Sequence, residues 1–308
     1  HDVGEIVAKH TMPGAVEIVL VNGKPQPMAA QLPRGLWVGP LSAAPANIAG
    51  KARAMLGGAA PVEFNPFVAL NTGLIEDVIV IHTVHGATIE PVVHLLSIST
   101  SPDSPLLVSP RVLVIVGAGA MLRLVETHVS QGEQQILSNT VVEIFAGQKS
   151  VVEHYQVQWN DENTSAIQSR VAALQNSAAY THHHASLSGK LIRNDLHAIL
   201  DGEGADATLN GVVHIDGERH VDNHTLIRHE KPNCTSHELY KHVVADRSRG
   251  VFKGKIFVQK DAQHTDAKQT SRTLLLSDHA FMESMPALEI YADDVKCTHG
   301  STVGPLDE

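Results

Sequence analysis

The stretches LSGKLIR (187–193), LNGVVHI (209–215) and FKGKIFV (252–258) each carry an apolar residue two positions before a glycine that opens a run of strand-forming residues. The three glycines, Gly189, Gly211 and Gly254, are separated by 22 and 43 residues, the second interval close to twice the first. Such a period suits a solenoid of strands: one coil needs a few short strands and the corners between them, and glycine at a corner adopts backbone conformations that strain other residues. On this reading one further unit with a disguised corner lies between Gly211 and Gly254. A sandwich or jelly roll also produces alternating strands, at intervals of about 8 to 12 residues, so the repeat is what favours the solenoid.

Outward from these stretches the chain keeps the same character. DVIVIHTV (77–84), PRVLVIVG (110–117), NTVVEIFAG (139–147) and SVVEHYQVQW (150–159) are β-branched, short and flanked by turn residues, and each predicts a strand. Helical spacing is convincing only from Ser42 to Leu56, where alanines and leucines recur before Gly57 and Gly58 end the run. The fold class is therefore mainly β. Residues 1–70 form a mixed α/β segment with one short helix near 42–56, residues 71–304 the solenoid core, and 305–308 the start of a further region.

The chain has 308 residues, 43% hydrophobic and 18% charged, the composition of a globular protein with a sizeable core. Its net charge of -10 gives no reason to expect nucleic acid or an anionic membrane as a partner. No stretch approaches the roughly 18 uninterrupted apolar residues of a spanning helix. The chain opens at His1 with neither a methionine nor a leader pattern, which reads as a truncation. Cys234 and Cys297 are the sole cysteines, too few for a disulfide framework and consistent with a reducing compartment. Histidine is abundant, with 20 residues and the run THHH at 181–184, and the bland reading of solvent-facing imidazoles in alternating strands is preferred to a metal tract.

Familiar catalytic signatures are missing. VIVGAGAML (114–122) follows a strand but has Leu122 where a dinucleotide fingerprint needs its third glycine, and the chain runs on as a strand instead of opening a helix. GEGADATLNG (202–211) lacks the Gly-Lys-Ser/Thr ending of a phosphate loop. No serine elbow, HExxH or paired CxxC is present. Asp293 and Asp294 admit two readings: a solvated turn, or calcium and acid-base groups of a polysaccharide-acting solenoid enzyme.

DDVKCTHGSTVG (293–304) is different in kind. On a strand Cys297 and His299 point to one face, roughly 7 Å apart at Cα, so thiolate and imidazole can reach one ion together. Both suit iron, zinc and copper, yet two ligands do not complete a site, and the rest must come from elsewhere in the chain or from another subunit. A small buried cysteine is the competing reading for Cys297.

The segments HVDNHTLIRHEKPNCTSHELYKHVVADRSRGVFKGKIFV (220–258) and DAQHTDAKQTSRTLLLSDHAFMESMPALEIYADDVKCTHGSTVG (261–304) resemble the SufB/SufD family of iron-sulfur cluster assembly scaffolds. VEIVLVNGKPQP (16–27) resembles the family's entry into its core. Two positions place the chain on the SufD side of the family: Arg272 and Thr273 precede Leu274 where SufB-like chains carry a cysteine, and Lys296-Cys297-Thr298-His299-Gly300 replaces their Glu-His-Glu ending.

The resemblance implies a right-handed parallel β-helix core whose terminal helical regions are largely absent from this chain. It implies a non-enzymatic scaffold that pairs with SufB and binds the SufC ATPase through the missing C-terminal region, while the long edges of a β-helix leave a homodimer open when SufB is absent. His299 would lie at the SufB interface and help hold a transient iron-sulfur cluster or iron, with Cys297 as second ligand or metal-sensitive thiol. No nucleotide would bind this chain itself. Bacterial cytoplasm and plastid stroma both house this machinery.

Overall fold

In the computed structural model, which describes residues 3–28, 31–101 and 103–305, the chain is a parallel β-solenoid of about eight turns, 56% strand and 10% helix. Each coil contributes one strand to each of two ten-stranded sheets. The first sheet ends in the order Val151–Trp159, Ala179–Ser186, Asp206–Ile215, Thr235–Val244, Asp266–Leu275 and Lys296–Pro305. The second ends with Leu191–Leu200, His220–His229, Arg249–Val258 and Phe281–Ile290. All of these pairs are parallel and in strict register. Antiparallel pairing occurs near the start, where Lys24–Pro25 folds back on Val16–Val21 and Leu36–Pro40 on Val78–Thr83.

Alternation explains the strands. His220–His229 buries every second residue, so Val221, Asn223, Thr225, Ile227 and His229 enter the space between the sheets while the others face out. The shared core takes Leu124, Leu174, Leu200, Ile227, Ile256 and their neighbours from both sheets. Alternation disappears in Arg111–Val116, buried along its whole length, because helices cover its outer face. Helix α1 (Val3–His10) places Ile6 on Leu96, Ile98 and Val129 of the first sheet. Helix α2 (Ala46–Met55) sets Ile48 and Ala52 on Val80, Leu113 and Ile115 of the second. Helix α3 (Pro66–Gly73) starts with the Asn65 side chain accepting from the Val68 N–H at 2.8 Å and buries Val68 against Val141 and Val171.

The helix expected over 42–56 is α2 behind a short 3-10 turn at Leu41–Ala43. Helices α1 and α3 were not expected. Each has eight residues, too few turns for a periodic pattern to stand out, and the Asn65-Pro66 start was the one readable signal for α3. The further region expected from 305 lies outside the described residues, except for Pro305, which ends the last strand.

The glycine period is corrected. One coil advances between 26 residues, at Ser165↔Leu191, and 33, at Val78↔Arg111, so no 22-residue unit exists. Gly189 does sit at a corner with φ +108°, but Gly211 and Gly254 lie inside strands of opposite sheets. They are glycines for a different reason: a Cβ at Gly211 would run into the Tyr240 ring, and one at Gly254 into the Gln269 amide and the Phe252 ring. The true corner marker is a left-handed residue repeated once per coil, at Gly86, Gly119, Lys149, Ser177, Gly204, Asn233 and His264. Each donates its backbone N–H to the corner of the next coil, from Gly86 to Ala118 through to His264 to Asp294. Cys234 follows directly after one of these positions and is fully buried, its thiol donating to the Gly202 carbonyl oxygen at 3.2 Å.

Candidate functional site

The site is built at the end of the solenoid where coiling stops among the described residues. Lys296–Pro305 pairs on one side with Asp266–Leu275, and its other edge carries no strand. Phe281–Ile290 ends the second sheet in the same way. The residues that would face the lumen of a further coil are therefore open: Val303 is 45% exposed and Ile290 37%. A hydrogen bond from Ser301 Oγ to Ser284 Oγ, 2.8 Å, ties the two end strands across this mouth.

Cys297 and His299 share one face of the end strand, as their spacing predicted, and register makes it the inward one. Cys297 continues the column Ala207, Ser236, Ala267 and is half-buried against the shared core. His299 continues the column Leu209, Glu238, Gln269 and is exposed. Burial raises the Cys297 thiol above its ordinary range, and the carboxylate of Asp266 raises it further. This chain therefore keeps Cys297 protonated at neutral pH, and a bound cation or a second subunit would have to draw out the thiolate. Among the described residues no group of three or more His, Cys, Asp or Glu side chains converges to hold an ion. Cys297 and His299 thus present a thiol and an imidazole on one face.

Of the two acidic residues, Asp294 is engaged in a corner. Asp294 accepts from the ring of His264 at 2.9 Å, its backbone N–H donates to Gln263 Oε1, and its carbonyl accepts from His264 N–H. Asp294 thus closes a corner of the solenoid.

The histidines depart most from expectation. His94, His128, His154, His182, His184 and His242 are all buried, where solvent-facing imidazoles were expected. Strand alternation sends half of all side chains inward, and the lumen at these levels is polar. At its centre Glu126 accepts from Arg170 Nη2 at 2.6 Å and Nε at 3.0 Å, and from the rings of His154 at 2.7 Å and His128 at 3.0 Å. Burial opposes the Glu126 charge, but Arg170 and the two histidines prevail and hold its carboxyl well below the usual carboxylate range. His154 takes the O–H of Tyr180 on its other nitrogen at 2.9 Å. Sequence reasoning did not find this network because its members lie up to 44 residues apart and meet only through coil register.

The fold defines the class: a parallel β-solenoid, with a thiol and an imidazole on the inward face of its last described strand. Residues 98–308 match the family described as SUF system FeS cluster assembly, SufBD core domain, and the chain belongs to that family. An iron-sulfur cluster assembly SufBD family protein of Synechocystis is 29% identical over 78% of this chain and 55% of its own length. Escherichia coli iron-sulfur cluster assembly protein SufD is 30% identical over 62% of this chain and 45% of its own. The chloroplastic protein ABCI7 of Arabidopsis thaliana is 29% identical over 91% and 60%. The chain thus spans about half the length of the curated relatives it matches, and these relatives make it a SufD-like member of the SUF system. No helix among the described residues is long and apolar enough to cross a membrane.

Proposed function

We propose that this chain is the core of a non-enzymatic scaffold subunit in iron-sulfur cluster assembly. Its open end docks against the homologous SufB solenoid, and a nascent cluster or iron is held there as cargo between His299, with Cys297, and ligands of that partner. The observation that carries this reading is the incomplete donor pair on an unpaired end strand. A sheet edge of this kind is a ready template for another chain, and two donors await others. Energy for opening the joint would come from a SufC-type ATPase bound outside the described residues, since no phosphate-binding loop is found in this sequence.

Complementation under iron limitation tests the reading. His299→Ala is expected to abolish maturation of iron-sulfur enzymes and Cys297→Ala to lower it, with both variants folded by circular dichroism. Full maturation with His299→Ala would remove His299 from the mechanism. Pull-down of the full-length protein is expected to bring a SufB-type chain and an ATPase in fixed stoichiometry.

A further inference from the structure

His299 heads a column whose two lower members form an unusual device. Ladder register sets His299 beside Gln269, and Gln269 beside Glu238 on the coil below. Gln269 is 1% exposed. Its Nε2 donates to Glu238 Oε2 at 2.6 Å. An amide carries its nitrogen and oxygen on one carbon, diverging from each other, so a nitrogen committed to Glu238 on the coil below leaves the oxygen to serve a different neighbour. This Oε1 is buried and accepts no hydrogen bond. A buried carbonyl oxygen without a donor is costly and calls for an explanation.

Gly254 makes the arrangement possible. A Cβ at this position would occupy the space of Gln269 Nε2 and Cδ. The glycine that looked like a corner in the sequence is thus the gap into which the amide is laid. The ladder neighbour with a proton to give is His299, about 5 Å away at Cα by strand spacing. A neutral imidazole carries one N–H and one lone pair and exchanges between two tautomers unless one nitrogen is bound.

We propose that Gln269, held by Glu238 in the space left by Gly254, is the positioning residue of His299: its Oε1 takes one ring N–H and leaves the other nitrogen, as a lone pair facing the open end, to ligate iron. This rests on the reading of His299 as a ligand. A hydrogen-bonded outer partner of this kind orients a ligating histidine and strengthens it as a donor, and its loss lowers metal affinity about 10- to 100-fold.

Imidazole nitrogen resonances of the full-length protein, labelled with 15N-histidine and held at pH 8, read the tautomer directly, with the His299 signals assigned by their loss in His299→Ala. The wild type is expected to show one dominant tautomer at His299. Gln269→Leu, which keeps the bulk but loses the acceptor, and Gly254→Ala, which displaces the amide with Gln269 intact, are each expected to return His299 to the mixture of a free imidazole. Both should lower iron-sulfur enzyme maturation about 10-fold or more. A tautomer mixture in the wild type overturns the proposal without any variant, so it stays testable even where a variant fails to fold. A single tautomer that survives both substitutions overturns it as well. Full maturation with His299→Ala would strike the ligand reading alone, since the tautomer result still decides the hydrogen bond.

Discussion

Glu126 and Arg170 meet inside the lumen, both with side chains at most 2% exposed. Removing one partner of a buried pair leaves the other charge without compensation, so Arg170→Met is expected to cost about 3–5 kcal/mol by urea denaturation. The double variant Arg170→Met, Glu126→Gln should cost less than Arg170→Met alone, and the opposite order would show that packing, not charge, governs the site. Glu238 is the contrasting case: burial raises its carboxyl to about 7, against an ordinary 4.5, although the Gln269 amide works in the other direction. Between those two values the folded chain holds a proton that the unfolded chain has released, so stability falls as pH rises through this window, by up to about 3 kcal/mol. Glu238→Gln is expected to remove that slope, and chemical denaturation at pH 5 and pH 8 checks it.

At the scale of elements, corners and ends matter more than strands. Gly202 lies at a corner where a Cβ would overlap the backbone of Gln175 and Asn176 on the preceding coil. Backbone cannot swing aside as a side chain does, so Gly202→Ala is expected to lose about 2 kcal/mol or more, seen as a lower denaturation midpoint. On the proposed function the end strands would carry the association. Val303 and Ile290 are exposed at the mouth and support no further coil, so Val303→Lys and Ile290→Lys should leave the fold intact. Sedimentation equilibrium, with the wild type associated, is expected to show at least about tenfold weaker self- or partner association in these variants, since an unpaired charge buried in an apolar contact costs several kcal/mol. Unchanged association would locate the interface elsewhere.

For the whole molecule, the polar lumen sets the response to acid. Burial lowers His184 to about 3 and His229 and His242 to about 4, from an ordinary 6.5. In that window the unfolded chain binds protons the folded chain refuses, so stability is lost as pH falls below 6.5, by about 2 kcal/mol for each histidine at pH 5. Against a total of about 5–15 kcal/mol this is enough to bring the protein near unfolding. Melting temperatures from pH 7.5 to 5 should fall steeply, and less so in His242→Phe, whose ring position lies between Tyr240 and Phe252.

The sequence by itself determined the mainly β class, the position of α2, the shared face of Cys297 and His299, and the resemblance to the family, through which the solenoid was legible although its glycine period was misread. These are local properties: alternation has a period of two, a helix a period near 3.6, and a motif lies within a dozen residues. Tertiary structure alone decided which residues stack on one another, that seven histidines turn inward, and that Gly254 and Gln269 lie together next to the His299 column. Corner lengths vary, so one coil takes anywhere from 26 to 33 residues. Register between coils is therefore set by backbone hydrogen bonding across a variable interval, and no fixed spacing in the sequence records it.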